Sequence, residues 1–185
     1  MPDSLLVDPE WLAAHRDDPA VHLVDVREPW EYDTIGHLPG AVTIPFDSYR
    51  DDDSPDPGTL PGADAFGQLL SEAGIDPDDT IVAYDDTHGV FAARLLVTAL
   101  AYGHEHVALL NGDFSAWQRA YETTTDSTPI DPVSYEIDGL APTAPIVDRA
   151  AVETAIADGT ATLLDTRNEA EYDEGPLPGG IRIDW

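Results

Sequence analysis

The side chains in this sequence with chemistry to offer are aspartates, histidines and arginines, because neither cysteine nor lysine occurs in it. In the run Tyr84-Asp85-Asp86-Thr87-His88-Gly89, two carboxyl groups and an imidazole share one loop, a set that suits a divalent ion or acid–base exchange. The same residues also fit a solvated loop whose carboxylate caps the helix that follows, which needs no ligand. His104 and His106 form an H-x-H pair after Gly103, a spacing met in zinc sites, but the pair equally suits a glycine-terminated turn. Asp25 with Arg27, and Asp165 with Arg167, stand two residues apart, so on an extended strand both side chains of each pair share a face and form an ion pair. His37 is expected to order the turn before Leu38 and Pro39. The missing cysteine excludes disulfides, thiolate metal sites and cysteine nucleophiles together.

The elements that must position these groups alternate in type. Short apolar runs at 21–26, 41–44, 80–84 and 107–110 are strand candidates, and 63–73 and 89–102 carry helical patterns. The second of these is too continuously apolar for a helix with one wet side. Alternating elements with near-continuous apolar strands predict an α/β domain with a parallel sheet covered on both faces, ending near Trp117 to Tyr121. From Glu122 to Pro145 the composition turns to Thr, Pro, Asp and Ser, as in a linker extended along the first domain. The proline-rich loop 51–61 is expected to be a solvated crossover, and Asp51 to Asp53 and Asp76 to Asp79 solvated faces or turns.

The formal net charge of -29 sets 37 acidic residues against 8 arginines. Phosphate recognition depends on cationic side chains, so nucleic acid is not expected as a partner. Acidic repulsion on this scale opposes compaction and suits a protein adapted to concentrated salt, where screening is short-ranged. With no apolar run approaching a membrane span and no basic leader at the N-terminus, the expectation is a soluble, unsecreted, cytoplasmic protein without a membrane partner.

An internal repeat defines the organisation. LVDVREPWEYDTIGHLPGAVTI from Leu23 returns as LLDTRNEAEYDEGPLPGGIRI from Leu163 with one residue deleted. Asp25, Arg27, Glu31, Tyr32, Leu38, Pro39, Gly40 and Ile44 align with Asp165, Arg167, Glu171, Tyr172, Leu177, Pro178, Gly179 and Ile183, and Val7-Asp8 with Val147-Asp148. The expected organisation is therefore a complete domain at 1–121, a linker at 122–145 and an incomplete second domain at 146–185.

These residues resemble a known family. Asp25, Arg27, Glu31 and Tyr32, followed by Gly36 to Ala41, resemble the opening signature of rhodanese domains. Ile81 to Trp117 resembles the active-loop helix and following strand in the first domain of two-domain thiosulfate and 3-mercaptopyruvate sulfurtransferases. The resemblance implies a five-stranded parallel sheet with helices on both faces and a catalytic loop between a central strand and the next helix. It further implies that active domains carry a cysteine after the strand-ending tyrosine, which takes sulfur from thiosulfate or mercaptopyruvate as a persulfide. Backbone N–H groups opening a helix favour such a thiolate. Here Asp85 occupies that position, as is common in the first domain of the resembling enzymes, whose working cysteine lies in the second.

The resemblance thus implies a sulfurtransferase family, with this chain inactive as it stands and without a cofactor or metal. The small anionic sulfur donor is a partner only of a complete protein. Arg167 is the candidate substrate-binding residue, placed by the resemblance near the pocket of a completed second domain. The competing reading is a non-catalytic rhodanese-like binding or structural module. A phosphatase or arsenate reductase on the same fold would also need the loop cysteine. The half repeat, with strand candidates at 162–164 and 181–183, is too small to fold alone. It is expected to pack on the first domain or to exchange with a second chain as a homodimer, covering Ile146, Leu163, Leu164, Ile181, Ile183 and Trp185.

Overall fold

The computed structural model describes residues 2, 4–51, 54–55 and 58–183. Trp185 and the loop positions Asp52, Asp53, Asp56 and Pro57 lie outside the described residues. The chain divides into two compact units, Met1–Pro145 and Ile146–Trp185.

The first unit is built on a five-stranded parallel sheet in the order β1-β5-β4-β2-β3, formed by β1 (Leu6–Val7), β2 (Val21–Asp25), β3 (Val42–Thr43), β4 (Thr80–Tyr84) and β5 (Val107–Leu110). Strands β4 and β5 coincide with their apolar runs. The run 41–44 pairs only at Val42 and Thr43, because Pro45 ends it. The strand β1 has no counterpart in the sequence reading, since two residues are too few to display a period.

Alternate side chains of β4 point to opposite faces, so Ile81 and Ala83 enter one core while Val82 and Tyr84 enter the other. The first core lies with Phe66 and Leu70 of α2 (Ala63–Glu72) and Leu95 and Ala99 of α3 (Val90–Ala101). The second lies with Leu12 of α1 (Pro9–His15) and Phe114 and Trp117 of α4 (Asp113–Ala120). Burial on both faces explains why β4, buried at every position, is so apolar from Ile81 onward.

Residues 122–145 belong to this unit. His37 and Thr124 exchange backbone hydrogen bonds, Val133 and Tyr135 donate to Ser71, and Ala141 donates to the Ala101 carbonyl. Two buried histidines hold the segment as well. His37 stacks on Tyr32 with its ring nitrogens 3.0 Å from the Tyr32 carbonyl and 3.1 Å from that of Asp126. His104 Nδ1 lies 2.8 Å from the Tyr135 hydroxyl.

The second unit contains α5 (Arg149–Asp158), β6 (Leu164–Asp165), α6 (Glu169–Glu174) and β7 (Ile181–Arg182), with β6 and β7 parallel. The Asp148 side chain caps α5, and Asn168 with Glu171 forms a capping box on α6. Several of its internal bonds repeat those of 25–44. Tyr32 Oη donates to the Ala41 carbonyl and Tyr172 Oη to that of Gly180, while Ile44 N–H donates to Asp25 and Ile183 N–H to Asp165. Among the described residues no helix is long and apolar enough to cross a membrane.

Candidate functional site

Parallel strands release their chains at the C-terminal edge of the sheet, where loops and helix N-termini converge. Here the ends of β2 and β4 bring together Asp25, Arg27 and Asp85. β4 ends at Tyr84, the chain turns through 85–89, and α3 opens at Val90.

The Asp85 carboxylate is fully buried within that turn. Oδ1 accepts the N–H groups of Thr87 and Gly89, both at 2.8 Å, and Oδ2 accepts those of Phe91 at 2.8 Å and Ala92 at 3.0 Å. These donors converge because Gly89 adopts φ +78, and any Cβ there would stand 2.8 Å from Leu109 Cδ2. The loop is thus an anion cradle, and the protein's own carboxylate fills it. A carboxylate so held has no transferable sulfur.

Asp86 and His88 do not join Asp85 around a common point. Asp86 accepts the N–H and hydroxyl of Ser115, and His88 is exposed while its N–H donates to Asp113 Oδ2 at 2.9 Å. Asp113 was not singled out by sequence reasoning and has a left-handed φ of 65, for which the local sequence offers no signal. Burial, with Asp85 and Asp86 nearby, raises its carboxyl above the ordinary carboxylate range.

Arg27 and Asp25 form a buried bidentate pair, with Nη2 2.6 Å and Nε 3.0 Å from the carboxylate oxygens. Arg27 also donates to the Gly36 carbonyl at 2.7 Å, and its guanidinium stands 3.8 Å from the Phe114 ring centroid. Burial lowers the guanidinium pKa, but the bonds and charge of Asp25 outweigh it and hold Arg27 above its usual value. Nε and Nη2 of this guanidinium are thus engaged within the fold. The small cavity beside it, about 150 Å³, is bordered by Glu28, Glu31 and Asp86 together with Phe46 and Phe91. Three carboxyl groups bordering it disfavour an anionic ligand there.

Arg167 reproduces these contacts in the second unit. Nη2 donates to Asp165 at 2.7 Å and to the Gly175 carbonyl at 3.2 Å, and Nε donates to Asp165 at 3.0 Å. These bonds lower the Asp165 pKa and raise that of Arg167. Unlike Arg27, its side chain remains 45% exposed. His104, read as one half of an H-x-H pair, is buried with its Nδ1 against Tyr135 Oη, while His106 is half-buried. Burial lowers the His104 pKa.

Residues 8–120 match the rhodanese-like domain family. The chain is 28% identical to 3-mercaptopyruvate sulfurtransferase of Escherichia coli over 205 residues, covering 100% of this chain and 73% of that protein. It is 30% identical to thiosulfate sulfurtransferase of Corynebacterium glutamicum, covering 97% of this chain and 65% of the relative. The crystal structure of SseA from Escherichia coli superposes with a TM-score of 0.84 at 28% identity, over 98% of this chain and 75% of SseA. Tum1 of Saccharomyces cerevisiae shares the fold at a TM-score of 0.79 and 20% identity.

Proposed function

The chain belongs to the rhodanese-like family, and on that premise we propose that it is the N-terminal portion of a tandem thiosulfate/3-mercaptopyruvate sulfurtransferase whose first domain carries no sulfur. The observation that carries this reading is the Asp85 carboxylate, bound by four N–H groups where the family's cysteine would hold a persulfide. A cradle of this form needs an anion to satisfy it, and in a domain relieved of chemistry an aspartate supplies one permanently.

Sulfur chemistry then belongs to the second repeat, whose opening motif spans 163–183. Asp165 holds Arg167 as Asp25 holds Arg27, while the greater exposure of Arg167 leaves part of its guanidinium accessible to an anionic donor. We assign Arg167 to the substrate side of that completed site. The net charge of -29 supports salt adaptation and the absence of nucleic-acid partners.

Thiocyanate formation from thiosulfate and cyanide tests the reading. The purified chain is expected to give no turnover above a heat-killed control, because it has no thiol. Turnover that survives an alkylating reagent would overthrow both the mechanism and the assignment of Asp85.

A further inference from the structure

An arginine guanidinium spreads its N–H donors over three nitrogens. In Arg27, Nε and Nη2 bind Asp25 and the Gly36 carbonyl, whereas Nη1 has no hydrogen-bond partner among the described residues. The side chain is only 3% exposed, so bulk water is a poor substitute for that missing bond. Arg27 lines the cavity of about 150 Å³ where the end of β2 meets the turn after β4.

The remaining walls of this cavity divide by chemistry. Thr87 brings a hydroxyl without a hydrogen-bond partner among the described residues, its N–H being engaged by Asp85. Phe46 and Phe91, with ring centroids 4.6 Å apart, form an apolar wall that Val26 extends. Glu28, Glu31 and Asp86 supply carboxylates. Asp86 accepts two bonds from Ser115 and Glu31 one from the Glu28 N–H, so lone pairs remain on all three for a further donor. Because Asp25 already neutralises Arg27, the lining as a whole is negative.

A simple anion would meet three carboxylates here, and a simple cation would leave Nη1 and the Thr87 hydroxyl unsatisfied. A ligand with both charges and a short apolar group answers every wall. We infer that this cavity is a binding site for a small aliphatic α-amino acid in its zwitterionic form. The carboxylate accepts from Arg27 Nη1 and the Thr87 hydroxyl, and the ammonium donates among Glu28, Glu31 and Asp86. The side chain lies against Phe46 and Phe91. Donors at one end and acceptors at the other fix the orientation, and the small volume limits the side chain to a few atoms.

The test is an NMR titration of the full 15N-labelled chain with L-alanine in about 2 M potassium chloride, which screens repulsion within the acidic chain. Saturable shifts are expected at Arg27, Glu31, Thr87 and Phe91, with a Kd of roughly millimolar order for a ligand of so few atoms. Tyr172 and Gly180 in the second unit are expected not to move. Propionate, which lacks the ammonium, and ethylammonium, which lacks the carboxylate, are each expected to bind about tenfold or more weakly, the effect of losing a charge-assisted bond. Glu31→Gln, which still accepts the Glu28 N–H, and Thr87→Val are expected to weaken L-alanine by a similar factor. The inference is overturned if no saturable shift develops up to about 0.1 M L-alanine. Propionate or ethylammonium binding as tightly as L-alanine would reveal a plain anion or cation pocket and overturn it too. Glycine betaine matching L-alanine would do the same, since its nitrogen has no N–H to donate. Affinity unchanged in both variants also refutes the assignment. No thiol or sulfur donor enters the titration, so its outcome is independent of the thiocyanate assay.

Discussion

Replacing Asp85 with alanine measures how much of the first unit depends on a filled cradle. The carboxylate accepts four N–H groups between 2.8 and 3.0 Å and is fully buried, so alanine removes the acceptor of all four donors at once. At about 1.5–3 kcal/mol for each hydrogen bond to a charged group, simple addition would give roughly 6–12 kcal/mol. The four bonds share one carboxylate, and a water entering the vacated polar space restores part of them, so the expected loss is about 3–5 kcal/mol. For a unit of this size that lowers Tm by about 6–20 °C. Asp85→Asn is a sharper variant. It preserves the shape but turns an NH2 group toward either the Thr87 and Gly89 donors or those of Phe91 and Ala92, so it is expected to destabilise nearly as much. Urea and thermal unfolding in molar potassium chloride, followed through the buried Trp117, give both values. A loss below about 1 kcal/mol in both variants would show that the loop holds its shape without the carboxylate, and the cradle argument would fail.

Two further predictions concern solution conditions. The unfolding midpoint is expected to rise from low salt to about 2 M potassium chloride, because screening weakens repulsion among 37 acidic groups; a flat or falling midpoint refutes salt adaptation. Burial keeps His104 neutral in the fold, whereas the unfolded chain binds a proton near the ordinary value of 6.5. Stability is therefore expected to fall as pH drops through 6.5 toward the lowered folded value. His104→Gln should flatten that part of the profile, and equal slopes in the two proteins would refute it. At the alkaline end the Tyr135 hydroxyl, its pKa pushed up to about 12 by burial, stays protonated in the fold while the unfolded chain ionises near 10. Stability is accordingly expected to decline as pH rises through that interval.

The parts of the site that rest on near neighbours were legible in the sequence. The two-residue spacing of Asp25 and Arg27 already implies a shared face, and an aspartate between a strand-ending tyrosine and a helix already implies a cap. What remained hidden depends on distant chain. Tyr135 lies 31 residues from its partner His104, so an H-x-H pair gave no hint that one of its rings is spent on a tyrosine hydroxyl. The segment 122–145 looks like a linker by composition, yet its backbone is fastened to Ser71, Ala101 and His37 by groups that local sequence does not mark. Asp113 escapes for the same reason, since its place beside His88 follows from how β5 delivers α4 to the edge of the sheet.

The repeated motif separates these two kinds of information within one chain. In both copies the aspartate grips the arginine, the tyrosine hydroxyl reaches the carbonyl eight or nine residues on, and the isoleucine just past the second strand donates back to the aspartate carbonyl. Twenty or so residues are therefore enough to specify the loop and its ion pair, whatever surrounds them. Burial is not specified in this way. Asp25 and Arg27 are enclosed by Tyr84 and Phe114, which arrive from more than fifty residues downstream, and only that enclosure turns the pair from a solvent-screened contact into a rigid wall of the pocket. The same arginine is thus covered by rings in the first unit, while its counterpart in the second keeps 45% of its side chain exposed.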